Sequence, residues 1–281
     1  MLRIVTDTGS DITYLGAPAL GLESLELSVQ FEDFQYDYRN DTDFSVFYEN
    51  LAKAKNLPTT SQVTPGQYLE VFEEAKTAGD EVLVITISGA ISGTYASATM
   101  AKEECGYDGV TIVDSRRATI SQRMIADYAV KLRGEGKSRT EIAEILEQIK
   151  EEVVLLVQLD TLKYLKKGGR IPATTAIIGE VLNMKPRVTM VDGKVTPIGK
   201  SRGDTAGKQA LWNLFAEDGY DPNYPVYFGY TYNKARGQAF MDETKAKFGL
   251  TNCVLCSVGG VIGAYGGANC IAMAYKTSKK R

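Results

Sequence analysis

The chain has 281 residues, 44% of them apolar and 24% charged, which is the composition of a soluble globular protein long enough for two domains. Its net charge of −3 comes from 32 basic and 35 acidic residues. No basic field is available to a nucleic-acid backbone, so we expect no nucleic-acid partner. The longest apolar stretch, residues 153–157, is too short to cross a bilayer, and the chain starts in a strand pattern rather than a signal peptide. We therefore expect a cytoplasmic protein.

The first half of the chain alternates between strand and helix patterns. Short apolar runs predict strands over residues 2–6, 82–87 and 110–113, and helical patterns cover residues 43–53, 64–78, 95–104 and 121–134. This alternation predicts a parallel sheet covered by helices. Asp7, Ser88 and Asp114 directly follow the three strands, at the edge where such sheets bind ligands.

A capping box, Ser138 with Glu141, begins a helix over residues 138–151, which we interpret as a linker between domains. The second half follows, with an Asp192-Gly193 hairpin signal. Its predicted strands cover residues 153–159, 187–191, 194–198, 226–230, 253–258 and 271–274, and its predicted helices cover residues 162–167, 174–182, 204–217 and 234–248. We expect an α/β protein of two domains: residues 1–150 with an N-terminal parallel sheet flanked by helices, and residues 151–281 with a C-terminal mixed α/β sheet.

A turn rich in glycine and hydroxyl groups lies between a predicted strand and a predicted helix. Residues 88–94 read Ser-Gly-Ala-Ile-Ser-Gly-Thr, and such a turn offers backbone N–H groups and hydroxyl donors to an anion. Upstream, residues 59–62 read Thr-Thr-Ser-Gln, just before a helix start at Thr64-Pro65. Taken alone, residues 59–62 indicate a loop; beside residues 88–94 they become a candidate second wall of an anion site.

The sequence lacks the residues that several classes of enzyme and metal-binding protein require. The chain has no histidine, which excludes a Ser–His–Asp triad. Asp7-Thr8-Gly9 matches the Asp-Thr-Gly motif of aspartic proteases, but the sequence has no second copy to supply the partner carboxylate. The sequence also lacks the P-loop motif of nucleotide-binding kinases. Cys253 and Cys256 lie in a strand pattern without a second cysteine pair, so we interpret the cysteines as structural and expect no metal, cofactor or catalytic residue.

Two basic segments and a glycine-rich segment are not fully explained by local structure. Residues 165–172 end a helix with lysines and glycines, as helix ends often do, but this does not require Arg170. Arg202 lies in a second basic turn before a helix. Residues 259–268 contain more glycine than is usual for a strand in a protein core. This indicates a loop whose backbone approaches a ligand or, alternatively, a plain mobile loop.

Taken in order, these segments resemble the DegV family of fatty-acid-binding proteins along essentially the whole chain. The matching segments are residues 4–11, 60–62, 88–94, 113–115, 162–171, 184–186, 202–203 and 261–263. The resemblance implies two α/β domains with a long-chain fatty acid between them. It also implies a carboxylate bound by hydroxyl groups and an acyl chain in an apolar tunnel.

Carried over from the family, the headgroup residues would be Thr60, Ser61 and Ser92, with the amides of Gly93 or Thr94 nearby. Family members that are subunits of bacterial fatty-acid kinase present the carboxylate to an ATP-binding partner. The resemblance therefore implies such a kinase subunit as a partner. Arg170 and Arg202 would then lie at the mouth, where they steer the anion or contact that partner.

One position departs from the family pattern. The family's last glycine segment commonly reads Ile-Gly-x-His-x-Gly-Pro-Gly, whereas here Tyr265 and Gly266 follow Ile262-Gly263-Ala264. Either Tyr265 replaces the histidine as a carboxylate donor, or the headgroup site has moved or been lost. We hypothesise replacement, since tyrosine keeps a donor that is neutral at pH 7.

The leading hypothesis is a monomeric carrier that holds a fatty acid, contacts membrane surfaces transiently for lipid exchange, and presents the carboxylate to a separate kinase. The alternative is a stand-alone enzyme that acts on a small anion with Asp7 or Asp114 as base. A third hypothesis is a structural or regulatory protein with a vestigial pocket.

Overall fold

The computed structural model describes residues 1–34, 36, 44–172, 174 and 183–279. The strands of this part are β1 (Leu2–Asp7), β2 (Glu23–Leu25), β3 (Ser28–Gln30), β4 (Thr59–Ser61), β5 (Glu81–Thr86), β6 (Val110–Asp114), β7 (Val153–Gln158), β8 (Met184–Val191), β9 (Lys194–Arg202), β10 (Val226–Tyr230), β11 (Cys253–Ser257) and β12 (Ile271–Lys276). The helices are α1 (Ser45–Lys53), α2 (Pro65–Ala78), α3 (Thr94–Cys105), α4 (Thr119–Gly134), α5 (Arg139–Glu152), α6 (Lys163–Lys167), α7 (Asp204–Asp218), α8 (Lys234–Phe248) and α9 (Gly260–Gly266).

The first half forms the predicted parallel sheet, in the order β2-β1-β5-β6. Its central strands are apolar on both faces because helices cover both sides. Ile4 of β1 packs with α4 and α5, whereas the next residue, Val5, packs with α2 and α3. The predicted N-terminal parallel sheet flanked by helices is confirmed.

Helix α5 differs from its expected role as a linker. The capping box of Ser138 and Glu141 is present, but Ile142, Leu146 and Ile149 are buried in the core beside the parallel sheet. Only one face of the helix packs, which explains its many charged residues. The chain then passes directly from α5 into β7, so no free linker separates the sheets; the division at residues 150 and 151 stays a prediction.

The second half forms a mixed sheet in the order β11-β10-β12-β7-β8-β9, in which β10 and β11 are parallel and the other neighbours are antiparallel. The predicted hairpin turns at Asp192-Gly193, between β8 and β9. Helices α7 and α8 cover the outer face through Leu211, Phe215 and Phe240. Helix α4 lies against the inner face and also against the first sheet, so it stands between the two sheets.

Two segments expected to be loops are regular elements. Residues 59–61 are strand β4, which pairs with β3, and the glycine-rich segment contains helix α9 rather than a loop. Glycine weakens a helix by about 1 kcal/mol relative to alanine, but here it allows close packing. A Cβ added at Gly263 would lie 2.6 Å from the Tyr48 hydroxyl.

Three smaller expectations also differ from the structure or lie beyond it. The basic segment expected as a turn at residues 200–202 is the end of β9. The helix predicted over residues 174–182 and the last two residues of the chain lie outside the described residues, except for residue 174. The helix predicted over residues 43–53 begins at Ser45.

Candidate functional site

A cavity of about 440 Å³ lies between the two sheets. Both halves of the chain contribute to its walls. The first half supplies β4 and the turn after β5, and the second half supplies helix α9 and strands β7, β8, β10 and β12. The site therefore depends on how the two halves pack together.

One wall of the cavity is the inner face of the mixed sheet. Gly229, Ala272 and Val157 are paired in register across β10, β12 and β7, and Val188 continues the row on β8. All four line the cavity, and we call them the apolar wall. Ala272, inside the row, has too small a side chain to fill the space above the sheet. Gly229, at the end of the row, is approached closely by Ile120 of α4, since a Cβ added at Gly229 would lie 3.2 Å from Ile120 Cγ2.

The opposite end of the cavity carries hydroxyl groups and one cation. Thr60, Ser92, Arg170 and Tyr265 line it, and we call these four residues the polar end. The hydroxyls of Thr60 and Tyr265 are 2.6 Å apart and share a hydrogen bond. The Arg170 guanidinium lies over the Tyr265 ring, 4.4 Å from its centroid, at the distance of a cation–π interaction.

Ser92 is held from behind by Thr94. The two hydroxyl oxygens are 2.9 Å apart, and the Thr94 amide donates to Ser92 Oγ at 3.3 Å. Ser92 and Gly93 line the cavity at the start of α3, whereas Thr94 is buried and does not line it. Thr94 thus supports Ser92, and its expected place beside a ligand stays a prediction.

Arg170 is fixed by two backbone carbonyls. Its Nε donates to the Ile91 carbonyl at 3.2 Å and its Nη1 donates to the Gly168 carbonyl at 2.7 Å. Among the described residues that line the cavity, it is the one that carries a formal charge. Arg202, by contrast, is exposed at the end of β9 and does not line the cavity. The structure therefore brings together Thr60, Ser92, Arg170 and Tyr265, but not Arg202.

Gln62 lies in residues 59–62, the predicted second wall of the anion site, but has no predicted role at the headgroup. Its Nε2 donates to Ser97 Oγ at 2.7 Å, and a Cβ added at Gly93 would lie 1.9 Å from its Oε1. Side chains two apart on a strand share a face, so a prediction of β4 would have placed Gln62 beside Thr60. Ser61 is exposed and lines the cavity, as does Gly266.

The first part of the glycine and hydroxyl turn holds the two halves together. The Ser88 hydroxyl donates to the Gly193 carbonyl at the hairpin tip, at 2.7 Å. Asp114 accepts the Gly89 amide at 3.2 Å. The predicted anion cradle over residues 88–94 is therefore reduced to Ser92 and Gly93.

Neither carboxylate of the enzyme alternative lines the cavity. Asp7 is fully buried and accepts hydrogen bonds from the Ile87 amide, the Gly9 amide and Gln122 Nε2 at 2.7, 2.9 and 3.1 Å. Burial raises the pKa of Asp7 to about 6. Because it has no access to the cavity, Asp7 is not placed to take a proton from a ligand there.

The cysteines are free thiols. Cys253 and Cys256 are three residues apart on β11 and so lie on opposite faces, and burial raises the pKa of Cys256 to about 12. Within the described ranges, no group of three His, Cys, Asp or Glu side chains is placed to hold a metal ion. None of the helices in these ranges has the length and hydropathy needed to cross a membrane.

Comparison with known proteins gives one family along the chain. A family model described as an uncharacterised protein of the DegV family matches residues 1–278. A DegV domain-containing protein of Clostridium acetobutylicum is 31% identical over 285 residues, which cover 99% of this chain and 98% of the relative.

Solved structures agree in fold. A DegV family protein of Thermus thermophilus, described as binding fatty acid, is 28% identical with a TM-score of 0.86, over 98% of this chain and 99% of that one. A DegV family protein of Eubacterium eligens, loaded with heptadecanoic acid, is 26% identical with a TM-score of 0.86, over 99% and 100% of the two chains. The fatty acid kinase B3 protein of Streptococcus pneumoniae, loaded with linoleic acid, has the same fold at 22% identity, with a TM-score of 0.86 over 99% and 100% of the two chains.

Proposed function

Because the chain belongs to the DegV family, we propose that it binds a long-chain fatty acid in the cavity between its two sheets. The carboxylate lies at the polar end and the acyl chain lies along the apolar wall. The observation that carries this proposal is the composition of the lining: Arg170 is the charged side chain among the described lining residues, and most of the others are apolar. A ligand with one negative charge and a long hydrocarbon chain matches both features.

The hydrocarbon chain supplies most of the proposed affinity. Each buried methylene contributes about 0.8 kcal/mol, and a cavity of about 440 Å³ is within the usual range for a small-molecule site. Because so apolar a ligand exchanges poorly through water, we expect transient contact with a membrane surface during loading.

The carboxylate requires several donors, since an unpaired buried charge is strongly unfavourable. We propose that the hydroxyls of Thr60, Ser92 and Tyr265 donate to it, with the Gly93 amide, Ser61 and Gly266 alongside. Tyr265 would thereby replace the family histidine. The Thr60 and Tyr265 hydroxyls share one hydrogen bond, and a bound carboxylate would replace it, so that each hydroxyl donates its single proton to the ligand. Arg170, stacked on the Tyr265 ring, supports this role.

We further propose that the protein presents the bound carboxylate to a separate ATP-binding kinase subunit. The support is the fold shared with the pneumococcal fatty acid kinase B3 protein and the absence of a P-loop from the sequence. Exposed Arg202 would contact that subunit rather than the ligand.

Lipid extraction and mass spectrometry of the purified protein test the binding proposal. We expect a long-chain fatty acid from the wild type and, after delipidation, about fivefold weaker rebinding by Tyr265→Phe, the usual cost of one hydrogen bond. Tyr14→Phe serves as the matched control because Tyr14 is 56% exposed. A protein free of lipid that also fails to take up fatty acid would refute the carrier function, and unchanged rebinding by Tyr265→Phe would refute the role of Tyr265 alone.

A further inference from the structure

Asp11 lies outside the cavity lining but joins two segments that form it. The residue is buried and has a φ of 60°. Its Oδ1 accepts the Gly259 amide at 2.8 Å, and its Oδ2 accepts the Thr119 hydroxyl. Gly259 precedes α9, which carries Tyr265, and Thr119 is the first residue of α4. The Asp11 carboxyl group thus connects the start of α9 to Thr119 in the cavity wall.

Helix α9 depends on such contacts for its position. It has seven residues, and Gly260, Gly263 and Gly266 are among them, so its intrinsic helical tendency is low. The segment is fixed instead by the Tyr48 hydroxyl, which donates to the Val258 carbonyl at 2.8 Å, and by the Asp11 carboxyl group at Gly259. A shift of this short helix would move Tyr265 away from Thr60.

Thr119 provides a second and independent reason for the contact with Asp11. Its φ is 54°, a conformation that β-branched residues rarely adopt and that surrounding contacts must hold. Thr119 lines the cavity, and its hydroxyl is bound to Asp11. The same carboxyl group therefore holds a strained residue of the cavity wall and the start of α9.

We propose that Asp11 is a positioning residue that sets Tyr265 relative to the cavity wall, through the hydrogen bonds to Gly259 and Thr119. The inference rests on the proposed function, because it concerns the carboxylate end of a bound fatty acid. Asp11 itself does not contact the ligand. Its role is to keep the Tyr265 hydroxyl where the carboxylate lies.

The test compares heptadecanoic acid with heptadecan-1-ol, which shares the hydrocarbon chain but lacks the carboxylate. We expect Asp11→Ala to reduce the preference for the acid about fourfold, just under the fivefold effect of Tyr265→Phe, because a misplaced donor loses most of its hydrogen bond to the carboxylate. Asp11→Asn should keep the preference within about twofold, since its carbonyl can accept from Gly259 and its amide can donate to the Thr119 hydroxyl. A purely structural role would weaken acid and alcohol equally.

Asp7→Ala is the matched control. Asp7 is also a buried carboxyl group that accepts several hydrogen bonds, but its described partners do not belong to α9. This variant should lower the unfolding temperature and keep the preference for the acid. A folded Asp11→Ala protein with the wild-type preference would overturn the role of Asp11, whereas a wild type without any preference for the acid would overturn the proposed headgroup site instead. If Asp11→Ala does not fold, Asp11→Ser, whose side chain ends one bond earlier than that of Asp, gives the same comparison.

Discussion

The apolar wall and the polar end of the cavity are built in different ways. The wall lies on four long strands of one sheet, where register alone places Gly229, Ala272 and Val157 in a row. The polar end is assembled from a three-residue strand, a turn, the segment after α6 and a seven-residue helix, which are separated in sequence. The wall can therefore supply affinity from a rigid surface, while recognition of the carboxylate depends on the contacts that hold small elements together.

Filling the apolar wall should have the largest effect on binding. Gly229→Leu would place four carbons over the row, where the added Cβ would lie 3.2 Å from Ile120 Cγ2 of α4, 3.3 Å from Val258 Cγ2 and 3.4 Å from Ala272 Cβ. Because Ile120 must shift by a few tenths of an ångström, circular dichroism first checks that the variant folds. If these carbons displace about four methylenes of the ligand, affinity falls by about 3 kcal/mol, or roughly a hundredfold. Titration calorimetry with a chain-length series would also show a shift toward shorter acids.

Gly134→Leu is the control for this substitution, since a Cβ at Gly134 meets no atom within 4 Å. It should leave binding unchanged. Wild-type affinity for long acids in Gly229→Leu would show that the acyl chain does not lie along the apolar wall.

Removing the positive charge of Arg170 should weaken binding of the carboxylate and not that of the hydrocarbon chain. Arg170→Gln should weaken binding of the acid by about 2 kcal/mol, roughly thirtyfold, because hydrogen bonds to charged groups are the strong ones, and should leave binding of the matched alcohol nearly unchanged. Arg202→Gln is the control, because Arg202 does not line the cavity. Equal losses for acid and alcohol would mean that Arg170 shapes the cavity and does not contact the carboxylate.

The same contrast explains what the sequence could predict. Periodic apolar runs and the Asp192-Gly193 turn were sufficient for both sheets, apart from the three-residue edge strand β2, and for the helices that cover them. Strand β4 was missed because three residues carry no period and need β3 as a partner. Helix α9 was missed because glycine indicates a loop, unless Phe47 and Tyr48 are known to pack against it.

Within the site, resemblance to a family suggested Thr60, Ser92 and Tyr265, and the structure brings all three to one end of the cavity. The contact of Asp11 with Gly259 joins residues 248 positions apart. Such a contact follows from the packing of the two halves and has no local pattern, so the sequence alone could not reveal it.

The free energy of unfolding should also depend on pH through two buried carboxyl groups, those of Asp7 and Asp11. Burial raises the pKa of Asp7 to about 6 and that of Asp11 to about 7, above the ordinary value of 3.8. Between about pH 4 and pH 7 the folded protein therefore binds more protons than the unfolded chain, so these two groups make the free energy of unfolding fall as pH rises. The loss is about 3 kcal/mol for Asp7 and about 4 kcal/mol for Asp11, and each is complete above the folded pKa of that group.

Urea unfolding across this range, for the wild type and for Asp11→Asn, measures the Asp11 contribution. The variant cannot ionise, so its free energy of unfolding should fall less steeply with pH than that of the wild type. The exposed carboxyl group of Asp108 gives a control in Asp108→Asn, which should keep the wild-type slope. Parallel profiles for the wild type and Asp11→Asn would show that Asp11 ionises in the folded protein as it does in the unfolded chain.

The smallest effect should come from a single neutral hydroxyl of the polar end. Ser92→Ala removes one donor and should weaken binding of the acid by about 1 kcal/mol, roughly fivefold, with no change for the alcohol. Thr99→Ala, on the exposed side of α3, is the control because the Thr99 hydroxyl bonds only to the Tyr95 carbonyl among the described contacts. A loss as large as that of Arg170→Gln would mean that Ser92 and Arg170 act as one unit at the carboxylate, whereas no loss would mean that the Ser92 hydroxyl does not contact the carboxylate.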